Sequence, residues 1–215
     1  MAVITISRQF GAGGRTLGKM LADKLGYTFA DRDIIQRIAK EARVSTHWVE
    51  SFEKEAGSKV SKLISMMVSQ RWLDQVLKDE RGYLDEKIYL DYLVLIIAQV
   101  ADEGDVVILG RGSQYILKDH PEALHFLLID ETENRARFME QHYDLSYKRA
   151  LQVVENEDKR RMNLYGRLGK SDYDNPNLYH MVLNMGRLGL EGALDVICHM
   201  VDRHQKAQRT VTAAK

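Results

Sequence analysis

The chain has 215 residues, a hydrophobic content of 45% and a formal net charge of zero, with 31 basic and 31 acidic residues. This length suits one domain with a buried core, and the balanced charge gives no electrostatic reason to expect nucleic acid or an anionic membrane as a partner. The single cysteine excludes an internal disulfide. The N-terminus lacks the charged start of a signal peptide and no apolar run approaches about 18 residues, so we expect a cytoplasmic protein.

Residues 2–26 predict a strand, a glycine-rich turn and a helix. Val3 to Ile6 are mostly apolar and β-branched, as in a buried strand, and apolar residues recur at helical spacing from Leu17 to Leu25. Glycines between them allow positive φ, and free N–H groups at a helix start bind anions. The pattern therefore predicts a phosphate-binding loop, which consists of Gly11, Ala12, Gly13, Gly14, Arg15 and Thr16.

This turn departs from the usual phosphate-loop pattern, which is Gly, four residues, Gly, Lys, and Ser or Thr. When the pattern is aligned without gaps, Arg8 stands at the first glycine and Gly14 at the lysine. Alternatively, Arg15 replaces the lysine and Thr16 supplies the hydroxyl, and the first glycine position then falls on Gln9. Both alignments leave a cation and a hydroxyl at the helix start, but no lysine.

A weaker hypothesis for the same stretch is a dinucleotide site. Gly11 and Gly13 begin such a fingerprint, and Asp31 follows about 20 residues later, at the end of a second predicted strand over 27–30. The fingerprint is incomplete, because Thr16 stands where it has its third glycine.

Charged residues follow two of the predicted strands. Asp31 begins a helix over 31–40 that carries Arg32 and Arg37, and the third strand, 105–109, ends in Gly110 and Arg111. Open α/β sheets bind ligands at the carboxyl ends of their strands. An arginine between two glycines at that edge suits contact with a bound phosphate, so Arg111 is predicted to be functional.

Residues 44–104 are predicted to be helical almost throughout and are interpreted as an insertion between the second and third strands. Its stripe of apolar residues favours a core on the acceptor side of the site. Met66 and Met67, close to Trp72, leave a partner helix as the alternative, and with it a homodimer formed through the insertion.

The last third of the chain predicts a lid. Strands are expected at 124–129 and 179–183, and between them a helix over 146–165 carries Arg160 and Arg161. A polar, glycine-containing stretch follows it, so residues 155–176 suit a lid that brings cations over a transferring phosphoryl group. Residues 204–215 lose apolar periodicity and are predicted to fray. The alternation of strands and helices predicts a three-layer α/β fold.

These motifs resemble the cytidylate kinase-like family, a branch of the nucleoside monophosphate kinases. The likeness runs from I-T-I-S-R-Q-F-G-A-G-G-R-T-L-G through D-R-D-I-I-Q-R and V-V-I-L-G-R-G-S to L-N-M-G-R-L-G-L-E. It implies a P-loop NTPase-type fold over residues 1–215, with a five-stranded parallel sheet in the order 2-3-1-4-5. The chain departs from that family in lacking the loop lysine and in having Asp33 where the family has glycine.

The resemblance also implies an activity, which is ATP-dependent phosphoryl transfer, with Mg²⁺, to a nucleoside monophosphate (CMP or dCMP) or a related small acceptor. The residues expected to hold the acceptor phosphate are Asp31, Arg32, Arg37, Gly110 and Arg111. Arg15, Arg160 and Arg161 are expected to stabilise transferring charge, and Thr16 to approach the metal. The alternatives are a nucleotide-binding sensor or scaffold without turnover and, less favoured, a dinucleotide-dependent oxidoreductase.

Overall fold

A computed structural model of the chain describes residues 1–31 and 86–213, and every structural statement below concerns these residues. The chain divides into two compact units, Met1–Arg32 with Val100–Lys215, and Asp33–Gln99. The candidate site lies in the first unit. Arg32, Arg37 and most of the predicted insertion (44–104) lie outside the described residues, so those predictions stay predictions.

The described strands are β1 Val3–Arg8, β2 Thr28–Ala30, β3 Val106–Leu109, β4 Ala123–Ile129 and β5 Met181–Asn184. The helices, numbered among the described residues, are α1 Gly14–Leu25, α2 Glu86–Glu103, α3 Ser113–Ile116, α4 Thr132–Tyr143, α5 Tyr147–Arg167 and α6 Met185–Ala213. A short 3-10 turn, Pro176–Leu178, precedes β5. None of the described helices is both long and apolar enough to cross a membrane.

The five strands form one parallel sheet in the order β2-β3-β1-β4-β5, which confirms the predicted order. β1 is central, and Ile4 lies beside Val107 of β3 and Leu124 of β4. Apolar side chains from one face of these strands pack against α1 and α6, which contribute Leu21 and Ile197 respectively. The strand order is the one that the family resemblance implies for a P-loop NTPase-type fold, and it brings the carboxyl ends of β1, β3 and β4 to one edge.

Several element ends differ from the predicted ones for local reasons. β5 begins at Met181 instead of Tyr179, because the 3-10 turn accepts the Tyr179 N–H at the Pro176 carbonyl oxygen. Gly26 ends α1 in a left-handed conformation, as the sequence indicates. α6 continues to Ala213, through most of the stretch predicted to fray, and Gly189 interrupts its first turns with a non-helical conformation.

Candidate active site

The glycine-rich loop continues β1 into α1 and forms a backbone cradle. Gly11 and Gly13 have positive φ angles of 86° and 74°. A Cβ atom on Gly11 would lie 2.8 Å from the carbonyl oxygen of Arg135, so only glycine fits there. Gly13 is the N-cap of α1, and no side chain caps that end of the helix. The first N–H groups of α1 lack intrahelical acceptors, and the positive end of the helix dipole lies at the same place, which makes the cradle suitable for an anion.

A buried ion pair fastens this loop to two later helices. Arg135 of α4, which is 5% exposed, donates from Nη1 to the carbonyl oxygen of Phe10 at 2.9 Å and to Asp158 Oδ2 at 2.7 Å. The other oxygen of Asp158, on α5, accepts the Phe10 N–H at 3.1 Å. Arg135 Nη2 also donates to Thr132 Oγ1 at 3.1 Å. The backbone at Phe10 is therefore held through both its N–H and its C=O, which sets the shape of the loop.

The sequence did not predict this set of contacts among Phe10, Arg135 and Asp158, which we call the clamp. Asp158 follows two other acidic residues on a helix rich in charge, where each carboxylate equally suits a solvated face. Arg135 lies in the first turn of α4 without glycine or any other local sign of a special role. Only their joint contact with Phe10, distant in sequence, distinguishes them.

Guanidinium groups gather at the carboxyl edge of the sheet. Arg8 ends β1, Arg111 follows β3, and Arg161 lies on α5. Burial, together with the positive charges of Arg161 and Arg111, lowers the pKa of Arg8 to about 10, while Tyr165 and Glu157 act in the opposite direction. The guanidinium of Arg8 lies beside the turn that contains Arg111, since its Nη1 occupies the space that a Cβ atom on Gly110 would need. Arg8 was not among the predicted site residues.

Arg111 is held in an unusual backbone conformation. Gly110, Arg111 and Gly112 have φ angles of 72°, 61° and 74°, three left-handed residues in succession before α3 begins. Residues with side chains pay roughly 1–2 kcal/mol for this region, and such outliers cluster at functional sites. The two glycines that flank Arg111 in the sequence thus form a turn with it at the edge of the sheet.

In the predicted lid, aromatic rings and an ion pair join α5 to the segment that follows it. Arg161 contacts Asp174 with two hydrogen bonds of 3.1 and 2.5 Å. The rings of Tyr165 and Tyr173 stack at 4.5 Å between centroids, and the Arg161 guanidinium lies 4.7 Å from the centroid of Tyr173. The cation of α5 is therefore oriented by the segment that follows the helix.

Gln114 of α3 connects this lid to the central strand. It is 1% exposed, and its Nε2 donates to the hydroxyls of Tyr165 at 3.0 Å and Tyr179 at 3.3 Å. Its Oε1 accepts from Ser7 Oγ of β1 at 3.0 Å. Burial raises the pKa of Tyr179, so this hydroxyl stays protonated and available for hydrogen bonds. The sequence did not predict Gln114 as a site residue, because a single glutamine in a short helix forms no recognisable sequence pattern.

The remaining predicted residues lie as follows. Arg15 is half exposed and pairs with the buried Asp31 at 2.9 Å, so one predicted cation contacts one predicted acceptor-binding residue. Arg160 is exposed and forms an ion pair with Glu157 on the same helix. Thr16 is half-buried in the first turn of α1. The roles assigned to these residues stay predictions.

The donor set for Mg²⁺ is small. No group of three or more His, Cys, Asp and Glu side chains suited to a metal occurs in the part of the chain that the structure describes. Mg²⁺ in phosphoryl-transfer sites takes many of its ligands from water and substrate phosphates and needs only one or two from protein. The Thr16 hydroxyl, at the helix start beside the cradle, fits such a limited contribution.

Comparisons with solved structures found similar proteins. An uncharacterized protein from Eubacterium ventriosum ATCC 27560 is similar with a TM-score of 0.67 and 19% identity, over 94% of this chain and 98% of that chain. A shikimate kinase from Bacteroides thetaiotaomicron has a TM-score of 0.49 and 16% identity, with coverage of 94% and 98%. A gluconokinase from Sinorhizobium meliloti 1021 has a TM-score of 0.46 and 11% identity, with coverage of 94% and 94%. At 19% identity, the likeness to the Eubacterium ventriosum protein concerns the fold alone. No curated protein matches the chain.

The family comparison covers most of the molecule. The sequence profile of the cytidylate kinase-like family matches residues 3–187, from β1 to the start of α6. The match includes the glycine loop, the turn at Arg111 and the lid. A kinase-like family of this kind supports a phosphotransferase acting on a small molecule. The chain belongs to the cytidylate kinase-like family.

Proposed function

We propose that the protein transfers the γ-phosphoryl group of ATP, with Mg²⁺, to a nucleoside monophosphate of the CMP or dCMP type or to a related small acceptor. The observation that carries the proposal is the convergence of an uncapped helix N-terminus with Arg8, Arg111 and Arg161 at one sheet edge. Catalysis of phosphoryl transfer is almost entirely positioning and electrostatic stabilisation. A backbone cradle together with cations at the same edge of the sheet would supply both.

Each part of the site has a distinct task in this proposal. The backbone N–H groups of residues 11–16 hold the phosphates of ATP. Mg²⁺, when bound, neutralises charge on the β- and γ-phosphate oxygens. Arg161, oriented by Asp174 and Tyr173, places a fixed positive charge where negative charge is transferred. Closure of the lid excludes water, because its aromatic rings pack against one another and Tyr165 is 2% exposed.

The acceptor phosphate is proposed to lie between the turn at Arg111 and the end of β2. Arg111 would contact it, and the family resemblance implies Asp31, Arg32 and Arg37 as further residues that bind the acceptor. The Arg15–Asp31 pair supports this assignment, since it links the start of α1 to the end of β2. Such cations bind an acceptor through its phosphate and do not distinguish one base from another.

A second candidate is a nucleotide-binding protein without turnover. It is favoured by one observation, which is glycine instead of lysine at position 14. In phosphoryl transfer the loss of one cation can cost orders of magnitude in rate.

A transfer assay separates the two candidates. ATP, Mg²⁺ and a panel of CMP, dCMP, UMP, AMP and GMP would be tested with the wild type, Arg111→Ala and Arg149→Ala. Arg149 is an exposed arginine of α5 that contacts Gln152, so it serves as the matched control. Turnover on one acceptor, lost in Arg111→Ala and kept in Arg149→Ala, would support the kinase. ATP binding without turnover on any acceptor would favour the binding protein.

A further inference from the structure

The side chain of Arg8 runs through the space between two glycines of the site. A Cβ atom built on Gly14 would lie 2.9 Å from Arg8 Cγ and 3.3 Å from both Cβ and Cδ. A Cβ atom built on Gly110 would lie 2.2 Å from Arg8 Nη1. The stem of Arg8 therefore passes over the start of α1, and its guanidinium reaches the turn that contains Arg111.

The backbone at Gly14 does not require a glycine. Its φ is negative, unlike those of Gly11 and Gly13, and glycine inside a helix costs roughly 1 kcal/mol relative to alanine. The colliding atoms belong to the base and middle of the Arg8 side chain, which cannot swing away as a flexible end could. Space taken by Arg8 thus explains why position 14 has no side chain.

Positions 8 and 14 are two of the three positions at which the gap-free alignment departs from the phosphate-loop pattern, the third being Arg15 in place of Ser or Thr. Glycine is replaced by arginine at one, and lysine by glycine at the other. In the fold these two positions are in contact, because the aliphatic stem of Arg8 occupies the space that a side chain at position 14 would fill. A cation that starts from the end of β1 thus passes beside the start of α1, where the phosphate-loop pattern has its lysine.

We propose that Arg8 is the spatial replacement for the loop lysine and that its guanidinium contacts the terminal phosphates of the bound nucleotide. The inference rests on the proposed function and adds to it a residue outside the predicted set. Arginine can provide two parallel hydrogen bonds to a phosphate, where lysine provides a point charge.

The ion pairs of the site support this choice over Arg15. Arg15, Arg160 and Arg161 each have a carboxylate partner, namely Asp31, Glu157 and Asp174. In residues 1–31 and 86–213 no carboxylate forms an ion pair with Arg8, and two further cations lie close to it. A half-buried guanidinium in such surroundings gains most from an incoming anion.

A reciprocal exchange tests the inference. Arg8→Gly, Gly14→Lys and the double variant Arg8→Gly/Gly14→Lys would be compared with the wild type for MgATP affinity by calorimetry and for melting temperature. Arg8→Gly should weaken binding by about tenfold to a hundredfold, the loss of one charged hydrogen-bonding group. Gly14→Lys should lower the melting temperature, because the new side chain collides with Arg8. The double variant should remove the collision and regain at least half of the lost binding energy.

Two comparisons make the outcome specific. Arg8→Lys should keep more affinity than Arg8→Gly, and Arg149→Ala should bind as the wild type does. Unchanged MgATP affinity in Arg8→Gly, or a double variant weaker than both single variants, would overturn the inference and leave the proposed function intact. A larger loss in Arg15→Ala than in Arg8→Gly would also overturn it and assign the lysine's role to Arg15. No nucleotide binding by the wild type would overturn both.

Discussion

Substituting Asp158 by alanine removes the carboxylate that joins α5 to Phe10 and to the guanidinium of Arg135. Two hydrogen bonds are lost, at 2.7 and 3.1 Å, and Arg135 stays buried at 5% exposure. Breaking a buried ion pair from one side costs about 3–5 kcal/mol. Asp158 is itself 36% exposed on its side chain, so water can partly replace it and the low end applies. We expect a loss of about 3 kcal/mol, or a melting temperature lower by about 6–12 °C for a chain of this size.

Urea unfolding measures this change, with Asp202→Ala as the control. Asp202 forms an exposed ion pair with Lys206 one turn away on α6, so its loss should cost below about 0.5 kcal/mol. Adding Arg135→Met to Asp158→Ala should recover part of the loss, because the uncompensated buried charge is then gone. The clamp would be refuted if Asp158→Ala were as stable as Asp202→Ala, or if the double variant were simply the sum of the single ones.

Three further predictions follow from the described contacts. Burial lowers the pKa of His125 from 6.5 to about 4, so between pH 6.5 and 4 the unfolded chain binds a proton at this residue that the folded chain does not. The free energy of unfolding should therefore fall by up to about 1.4 kcal/mol per pH unit as the pH drops through this range. Urea unfolding of His125→Gln should show a weaker dependence on pH than the wild type. Gln114→Leu should cost about 1–3 kcal/mol and speed proteolysis of the lid, since Tyr165 and Ser7 lose a buried partner; unchanged cleavage would count against the link. Gly110→Ala should reduce MgATP affinity more than Gly26→Ala does, because both glycines have φ near 70° but only Gly110 lies against the Arg8 guanidinium, which the new methyl group would displace; equal MgATP affinities of the two variants in calorimetry would contradict this contact.

The fold could be predicted because its determinants are local. β1, the glycine turn and α1 follow one another within 25 residues, and each has its own hydrophobic period. The strand order rests on the family resemblance, whereas the alternation of strands and helices alone predicted only a parallel α/β sheet. Boundaries were less accurate at β5, where a 3-10 turn uses Tyr179 as part of its own hydrogen bonding.

The site could be predicted only in part, for a related reason. Arg111 stands between two glycines, and that local pattern indicated a special turn. Arg8 stands where the phosphate-loop pattern has a glycine, so the sequence alone indicates a departure from that pattern and not a site residue. In the fold its side chain lies against Gly14 and Gly110. Arg135 and Asp158 act on a residue far away in the sequence, and a single sequence contains no trace of such a contact.

The central position of β1 has a consequence for how the chain folds. Thr5 of β1 lies within hydrogen-bond distance of His125 of β4, at 2.7 Å, across 120 residues of sequence. At synthesis rates of about 5–20 residues per second, roughly 6–24 s separate the two residues on the ribosome. For most of that time, until β3 is made, this apolar strand has two unpaired edges and neither of its neighbours, which makes it a natural target for chaperones and for aggregation. Folding should therefore be limited by long-range strand pairing, which is slow in parallel sheets.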